Sequence, residues 1–526
     1  MPKPEAVHTG QVETSLAHRP PREIELKLSV SPEAMETLCN AEPVLRHARN
    51  RGVTRRLDAV YYDTPDRLFD RSGMSLRIRR SGHRHIQTLK RSGAGDPLAR
   101  DEWEVALPDG TLDLARLPLD ELGEPFSALS AENLAPVFAT RFRRRLRRVD
   151  YRGAQIEVAF DDGAIQAGEK TLPICEIELE LKGGDAAALY EFGLALLEVA
   201  PLQVAMRSKS ERGYGLALAR APRATRAEPV ELAATDNADA AIAAILRSTY
   251  HQLLGNLAAA GASETEGIHQ MRVSLRRLRS ALAIFDKEIA APALGPLADD
   301  AKRLGHVLGP ARDWDVFATQ TVPDVEAGDL GNIGLSELLR AAEPFRAAGY
   351  EAVSGRLADP AVTRFLLSFG CVIERSGWRS DLPSDAMQIL AEPATDVAGR
   401  ILSRIHRKAL RRGRGFRKLG PDARHRLRLA LKRLRYAAEF FLPLYQGPKA
   451  TRYLARLSRL QDALGLANDA ATTIALLDTL CAQAKQPRLH YAAGVLRGWQ
   501  AHHGVAVSRK LRKRWRRFKA LAPFWD

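Results

Sequence analysis

Residues 23–28 read Glu-Ile-Glu-Leu-Lys-Leu, so charged side chains alternate with aliphatic ones. Successive side chains of a strand point to opposite faces, and this segment therefore predicts a β-strand with one ionic face and one apolar face. For a single strand, a solvated polar face is the ordinary interpretation. The alternation recurs, between turns rich in Gly, Asp and Pro that indicate an antiparallel sheet, in segments 76–79, 102–105, 141–143, 157–161 and 176–181.

The repeated ionic faces favour one arrangement of these strands. If the sheet closes into a barrel with the ionic faces inward, cations and carboxylates share an interior that is unstable unless a charged ligand completes it. A polyanion held by the cations, and bridged to the carboxylates by the hard cation Mg²⁺ or Mn²⁺, satisfies both walls. The N-terminal part is therefore predicted to bind phosphate groups and a divalent metal.

The order of the motifs resembles the CYTH superfamily, also called triphosphate tunnel metalloenzymes. Glu23-x-Glu25-x-Lys27 is similar to the signature near the start of that domain. The later matches are Tyr62-Asp63-Thr64, Leu76-Arg77-Ile78-Arg79, Thr88-Leu89-Lys90, Glu102-x-Glu104, Arg141-x-Arg143, Asp161-Asp162-Gly163, Glu176-x-Glu178-x-Glu180 and Ser208-Lys209-x-x-Arg212-Gly213-Tyr214. The resemblance implies an eight-stranded antiparallel β tunnel over residues 20–217 that hydrolyses or cyclises triphosphate compounds with a divalent metal.

The same resemblance implies roles for individual residues. The metal ligands would be Glu23, Glu25, Asp161, Glu176 and Glu178, and the pair Glu176 and Glu178 would also be catalytic. The substrate phosphates would be bound by Lys27, Arg77, Arg79, Lys90, Arg141, Arg143 and Lys209. Arginine suits this task because its planar guanidinium binds phosphate oxygens two at a time.

Few aromatic side chains in the N-terminal part could stack on a base. Trp103 and Phe142 fall on apolar faces and are expected to pack in the wall, which leaves Tyr61 or Tyr62. A substrate without a ring is therefore favoured, and inorganic triphosphate is the leading prediction. The alternatives are a thiamine triphosphatase, a class IV-type adenylate cyclase, and a non-catalytic polyphosphate-binding or scaffolding protein.

The charge of the chain is concentrated in its second part. Of 526 residues, 79 are Lys or Arg and 63 are Asp or Glu, which gives a net charge of +16. Residues 1–220 hold 32 basic and 33 acidic side chains, whereas the rest of the chain holds 47 and 30. Residues 218–235 are poor in large apolar side chains and are predicted to be a linker, followed by a helical domain over residues 236–520.

The helical part contains an internal repeat. Residues 269–285 match residues 425–441 at eight of 17 positions, and 304–313 match 460–469 at the same offset of 156. We therefore predict an all-α duplicated helical bundle with repeats of about 240–320 and 396–480. Apolar positions at helical spacing predict one buried stripe per copy, Met271, Leu275, Leu278, Leu282 and Phe285 in the first and Leu427, Leu431, Leu434, Ala438 and Phe441 in the second.

A row of basic side chains accompanies each apolar stripe. The rows are His269, Arg272, Arg276 and Arg279 in the first copy, and His425, Arg428, Lys432 and Arg435 in the second. Like charges three and four positions apart repel, so a row is stabilised by an anion along it, although a solvated face is the ordinary alternative for one helix. With Leu308-Gly309-x-x-Arg312-Asp313 and its copy, the rows resemble the CHAD domain, the conserved-histidine α-helical domain. The resemblance implies two four-helix halves and binding of inorganic polyphosphate by these eight residues.

Several functional classes lack sequence support. The four cysteines are far apart, which argues against a disulfide framework and a cysteine-zinc site. The motifs of zinc proteases, serine hydrolases with a nucleophile elbow, dinucleotide-binding folds and P-loop ATPases are absent. No apolar segment approaches the length of a membrane span. Nucleic-acid binding predicts aromatics interleaved with the cations, and only Tyr436 interrupts the two basic rows. A cytoplasmic protein is predicted, with association with polyphosphate granules as a further hypothesis.

Overall fold

The N-terminal part of the chain is a sheet of nine antiparallel strands. The structure is a computed structural model that describes residues 22–92, 99–328, 333–445, 447–484 and 486–525. The strands are β1 (Arg22–Val30), β2 (Val53–Asp63), β3 (Met74–Ser81), β4 (Arg84–Ser92), β5 (Ala99–Leu107), β6 (Ala135–Tyr151), β7 (Ala154–Ala167), β8 (Lys170–Gly183) and β9 (Leu202–Val204).

The first eight strands close into a barrel. Hydrogen bonding runs in the order β5-β4-β3-β2-β6-β7-β8-β1, and β1 also pairs with β5. The closure divides β1, because residues 22–24 pair with β5 and residues 25–29 pair with β8. The short strand β9 adds to the remaining edge of β1. The predicted eight-stranded antiparallel tunnel is confirmed.

Short helices cover the outside of this barrel. They are α1 (Pro32–Cys39), α2 (Glu42–His47), α3 (Leu68–Arg71), α4 (Leu119–Leu122) and α5 (Ala187–Leu197). A further helix, α6 (Lys209–Ala217), contributes side chains to the barrel interior instead. Outward-facing Leu26, Val158 and Leu179 are at most 1% exposed and belong to one core with the residues of α1, α2 and α5. Because this apolar face is covered, the alternate charged face of the same strands points into the barrel.

One end of the barrel interior is apolar. The layer there is formed by Tyr61, Phe138, Phe142, Ile165, Ile174 and Tyr214, with smaller neighbours. Helix α6 supplies Tyr214 and approaches β6 closely at Gly213, where an added Cβ would lie 2.1 Å from the Phe138 ring. A glycine is therefore required at this contact.

The C-terminal part is helical throughout its described residues, as predicted. Its helices are α7 (Ala238–Gly255), α8 (Leu257–Gly261), α9 (Thr265–Ile289), α10 (Leu294–Val316), α11 (Val322–Glu326), α12 (Leu335–Ala358), α13 (Pro360–Glu374), α14 (Ser384–Ala391), α15 (Ala394–Arg412), α16 (Pro421–Phe441), α17 (Pro448–Gln483) and α18 (Pro487–Lys519). Helices α7, α9, α10 and α12 pack in sequence, as do α15, α16, α17 and α18, and α9 meets α16 between these two sets. All ten residues of the two predicted stripes are at most 3% exposed.

The barrel and the helical part share one apolar core. Helix α5 of the barrel packs on α13, where Gly193 lies against Leu367. Polar contacts surround this core, since Thr363 Oγ1 donates to the carbonyl oxygen of Leu202 at 2.8 Å and Arg375 Nη1 lies 2.6 Å from Asp185 Oδ2. The two parts are therefore docked on each other as well as linked.

The sequence argues against a disulfide framework and against a membrane-spanning segment. The four cysteines are unpaired. Within the part of the chain that the structure describes, no helix combines the length and the apolar character that crossing a membrane requires.

We predict that Gly370→Ala lowers the free energy of unfolding by about 1–3 kcal/mol, because overpacking forces neighbouring groups apart. The added Cβ would lie 2.2 Å from the ring of Tyr190 on α5. Chemical denaturation followed by circular dichroism measures the change. The control is Gly355→Ala in α12, where an added Cβ meets nothing within 4 Å and better helix propensity stabilises by up to about 1 kcal/mol. Equal stability of the two variants would contradict the prediction.

Candidate functional site

A polar cavity of about 270 Å³ occupies the barrel interior beside the apolar layer. Seven cationic and seven acidic side chains line it, so the two kinds are balanced in number, and burial raises the pKa of one of the acids, Glu180, to about 7. The cations are Lys27, Arg77, Arg79, Lys90, Arg144, Lys182 and Lys209, and the acids are Glu23, Glu25, Glu102, Glu104, Glu157, Glu178 and Glu180. Seven strands and α6 contribute these side chains, so the set comes together only when the barrel closes.

Three carboxylates form a cluster on β7 and β8. Pairing of these strands sets Asp161 opposite Glu176, and Glu178 follows on the same face. One carboxylate oxygen from each of the three lies within 4.8 Å of the others. Asp161 and Glu176 are 0% and 1% exposed. Oxygen donors at this spacing are suited to a hard divalent cation.

Cations surround the carboxylate cluster. Lys209 Nζ lies 2.7 Å from Asp161 Oδ2 and 2.8 Å from Glu178 Oε1, and it also donates to Glu176. Arg144 donates from Nε to Asp161 Oδ1 at 2.8 Å and from Nη2 to Glu178. Arg212 donates to the second oxygen of Glu176. Buried charges of one sign are costly alone, so these pairs keep the cluster stable.

The partners also control ionisation of the cluster. Burial by itself raises the pKa of Glu178, but attraction by Lys209, Arg144 and Lys27 outweighs it and holds that pKa well below its usual range. Burial lowers the pKa of Lys209, and the three carboxylates more than reverse this effect. Glu178 and Lys209 are therefore both charged at neutral pH.

A second set of cations lines the opposite wall. Lys90 Nζ lies 2.9 Å from Glu102 Oε2 and 3.1 Å from Glu23 Oε2. Burial, followed by repulsion from Arg77, lowers the pKa of Arg79. An anion between Arg77 and Arg79 would relieve that repulsion, which makes this wall receptive to phosphate.

A separate basic face lies where α9 meets α16. It consists of Arg272 and Arg276 on α9 together with Arg428 and Lys432 on α16, and we call it the basic face. Burial, followed by Arg428 and Arg276, lowers the pKa of Lys432 to about 8. Burial and Arg276 likewise lower the pKa of Arg428. Because the cations of one helix act on those of the other, the two predicted rows meet in space.

Hydrogen bonding leaves part of the basic face open. The Nε atoms of Arg276 and Arg428 are buried without a hydrogen-bond partner. Arg272 is anchored differently, since its Nη1 donates to the carbonyl oxygens of Leu308 at 3.1 Å and Gly309 at 2.5 Å. Unpartnered buried donors are costly, so the arrangement of Arg276 and Arg428 is not stabilised by hydrogen bonds at these two atoms.

Comparison with known proteins accounts for both parts. Residues 21–214 match the family model of the CYTH domain, and residues 244–478 match that of the CHAD domain. The chain is a CYTH domain followed by a CHAD domain.

Individual relatives match parts of the chain. An inorganic triphosphatase of Haemophilus influenzae is 34% identical over 198 residues, which are 37% of this chain and 54% of that protein. An uncharacterised protein of Mycobacterium tuberculosis is 26% identical over 299 residues, covering 52% of this chain and 54% of that protein. The chain thus spans about half the length of these relatives. The solved CHAD domain of the plant Ricinus communis has 32% identity and a TM-score of 0.49, and the match covers 57% of this chain and 98% of that one.

The prediction that Arg141 and Arg143 line the CYTH tunnel is wrong. Both side chains are exposed on the outer face of β6, and Arg144 lines the cavity instead. The sequence has arginine at positions 143, 144 and 145, so alternation alone does not determine which of them faces inward. Pairing with β7 decides it, because Arg144 stands opposite Asp161.

Phe142 also differs from expectation. It packs in an apolar layer, but on the inner face of the CYTH barrel, where it borders the cavity. Lys209 Nζ and the Arg144 guanidinium lie 5.0 and 5.6 Å from its ring centroid, within the range of cation–π attraction. Tyr61 stacks on Phe138 with ring centroids 4.4 Å apart. Both rings are thus already occupied by neighbours.

The five predicted metal ligands fall into two places in the CYTH tunnel. Asp161, Glu176 and Glu178 form the cluster, whereas Glu25 pairs with Lys27 and Glu23 with Lys90 along β1. The predicted phosphate ligands Lys27, Arg77, Arg79, Lys90 and Lys209 all line the cavity. Sequence reasoning assigned no role to Arg144, Arg212 or Glu102. Arg212 and Glu102 lie within the quoted motifs, whereas Arg144 carries no signal without the strand register.

The eight predicted polyphosphate ligands of the CHAD domain do not all converge. Arg435 Nε donates to Glu439 Oε1 of its own helix at 2.6 Å, and Arg279 and His425 are exposed. His269 is half-buried, and burial followed by Arg312 lowers its pKa, so it is neutral at pH 7. The four residues of the basic face and His269 are therefore the part of the prediction that the fold assembles.

Proposed function

We propose that the CYTH domain hydrolyses inorganic triphosphate with Mg²⁺ or Mn²⁺. The supporting observation is the balanced lining of the tunnel cavity, with seven cations and seven carboxylates. A triphosphate entering alone would bring several negative charges into a balanced interior, and a divalent cation offsets them. The name of the Haemophilus influenzae relative supports the same substrate.

The carboxylate cluster is suited to the metal. Asp161, Glu176 and Glu178 offer hard oxygen donors, and the ammonium of Lys209 already lies among them, so the cluster accommodates a positive charge. A bound divalent cation would polarise the phosphoryl oxygens and lower the pKa of an attacking water. Glu23 and Glu25 remain proposed ligands from the side of β1, and Glu176 and Glu178 are the proposed groups that orient the attacking water.

The cations of the tunnel supply the substrate contacts. Lys27, Arg77, Arg79, Lys90, Arg144 and Lys209 all reach the cavity. Phosphoryl transfer spreads charge over the transferred oxygens, and preorganised cations stabilise that charge. Phe142 and Tyr61 are the aromatic side chains among the described residues that line the cavity, and both are covered by neighbours, so neither ring is free to stack on an adenine or thiamine group. This favours inorganic triphosphate over the other triphosphates.

We predict that Arg144→Gln lowers kcat/KM for tripolyphosphate about 100-fold or more, because one preorganised donor at a charged transition state has that effect. Arg141→Gln removes an arginine from the outer face of the same strand and is expected to stay within about twofold of wild type. Phosphate release with Mg²⁺ or Mn²⁺ is the measurement. Arg144→Lys keeps the charge without the planar fork and should fall between these values.

The metal dependence of the hydrolysis is tested at the neighbouring residues Asp161 and Asp162. Asp161→Asn should raise the metal concentration for half-maximal activity, whereas Asp162→Asn, at an exposed position, should not. Chelation with EDTA should abolish turnover. Absence of tripolyphosphate hydrolysis by the wild type would refute the proposal, and faster turnover of ATP or thiamine triphosphate would favour the alternative substrates.

We propose further that the CHAD domain binds inorganic polyphosphate along the basic face. The support is the convergence of four cations from two helices, with two buried Nε donors that lack partners. Phosphate chains present closely spaced anionic oxygens and no bases, which suits a face built of cations without exposed rings.

Accordingly, Arg276→Gln/Arg428→Gln should weaken binding of medium-length polyphosphate about tenfold or more and reduce its salt dependence. Isothermal titration calorimetry at two salt concentrations is the measurement. The matched control, Arg279→Gln/Arg435→Gln, removes the same charge from one exposed arginine and one arginine paired with Glu439. An equal loss of affinity in both double variants would argue against the basic face.

Binding should also weaken as the pH rises above about 8. Lys432 has its pKa at about 8, and the groups facing it are Arg428 on its own helix, Arg276 and Arg272 on α9, and Asp469 on α17. Below that pH the lysine is charged, and a bound polyanion favours the charged form, so affinity is lost as Lys432 deprotonates. Calorimetry at pH 7 and 9.5 should show about a tenfold decrease. Lys432→Arg should flatten it, and an unchanged pH dependence in that variant would contradict the assignment.

A further inference from the structure

A second and larger cavity of about 630 Å³ lies between the CYTH barrel, the segment 218–235 and helix α7. We call it the vestibule. Four residues, Ser75, Lys90, Ser208 and Ser210, line both the vestibule and the tunnel cavity. The two cavities therefore adjoin at these four side chains.

The vestibule carries excess positive charge. Seven Lys or Arg side chains line it, against four Asp or Glu side chains. Some of these cations have acidic partners, as when Arg220 makes two hydrogen bonds of 2.9 Å to Asp70. In the described part of the chain, Arg223 and Arg226 have neither a hydrogen bond nor an ion pair. Both lie between the matched CYTH and CHAD segments, 21–214 and 244–478.

The segment that bears these arginines is held in place. Asn256, which is 0% exposed, donates from Nδ2 to the carbonyl oxygen of Thr225 at 2.8 Å, and its Oδ1 accepts from the Thr225 amide at 3.0 Å. Thr225 also packs on Gly255, where an added Cβ would lie 2.9 Å from the threonine Oγ1. Arg223 and Arg226 flank Thr225, so their backbone is anchored at the vestibule wall.

Arg207 adds a third cation without a carboxylate at ion-pair distance among the described residues. Its Nη2 donates to the carbonyl oxygen of Glu211 at 2.7 Å. Burial lowers its pKa, the carboxylate of Glu211 opposes this effect, and Arg212 and Arg220 lower the pKa further. Gly215 leaves room for its guanidinium, since an added Cβ would lie 2.6 Å from Nη2. An anion beside Arg207 would offset the surrounding positive charge.

We propose that the vestibule binds the part of a linear polyphosphate chain that extends beyond the phosphates held in the tunnel. This rests on the proposed tripolyphosphatase function and names longer linear phosphate chains as ligands of the same enzyme. The vestibule has more than twice the volume of the tunnel cavity. The ring of Tyr214 at its wall is 2% exposed and so offers little surface on which a base could stack, whereas the cations favour phosphate.

The test uses medium-length linear polyphosphate as a competitor of tripolyphosphate hydrolysis. Arg223→Gln/Arg226→Gln should raise about five- to tenfold the competitor concentration that halves tripolyphosphate turnover, because two charge-assisted contacts are lost. The kcat and KM for tripolyphosphate alone should stay within about twofold of wild type. The charge-matched control is Arg46→Gln/Arg49→Gln, at exposed positions outside both cavities.

Each outcome separates this proposal from the proposed function. If the wild type does not hydrolyse tripolyphosphate, the proposed function is refuted. Calorimetry would then still measure binding of the competitor to the vestibule, in a protein that carries Arg272→Gln/Arg428→Gln. Equal competition in the vestibule variant and wild type, or relief of competition only by Arg272→Gln/Arg428→Gln, would overturn the vestibule proposal. Competition by a mononucleotide that matches polyphosphate would also overturn it.

Discussion

Charge compensation inside the barrel is the constraint on which the tunnel depends. A buried carboxylate without a counter-charge costs several kcal/mol, and in the cluster Asp161 and Glu176 are buried and Glu178 is half-buried. Lys209 and Arg144 stabilise the cluster because they lie directly against it. The same arrangement bears on the proposed function, because a metal and a polyanion would enter an interior that already holds equal numbers of cations and carboxylates.

The outer faces of the strands decide how this interior is presented. Leu26, Val158 and Leu179 face outward into a core that continues through α5 into α13. Covering the apolar face in this way leaves only the charged face for the interior. The same docking brings α7 and the segment 218–235 to the barrel and encloses the vestibule. The docking of the barrel on the helical part thus leaves the charged strand faces inside the barrel and also encloses the vestibule.

The duplicated helices follow a related rule. Each copy buries one apolar stripe completely, so its basic row must lie elsewhere on the helix. Where α9 meets α16, Arg276 acts on Arg428 and Lys432 across the junction, and the pKa of Lys432 is lowered to about 8. The carboxylates beside the basic residues differ from one position to the next. Arg435 is paired with Glu439, so its environment differs from that of Lys432.

The sequence by itself determined the strand alternation, the helical duplication and both apolar stripes, because periodicity is a local property of the chain. Its resemblance to the CYTH superfamily implied the eight-stranded antiparallel tunnel and eight of the fourteen charged side chains that line the cavity, among them Glu23, Lys27 and Glu178. Tertiary structure alone decided the register of β6, where consecutive arginines leave the inward residue undetermined until Arg144 meets Asp161. It likewise decided which basic residues converge and how the vestibule forms, because those depend on contacts between segments far apart in the chain.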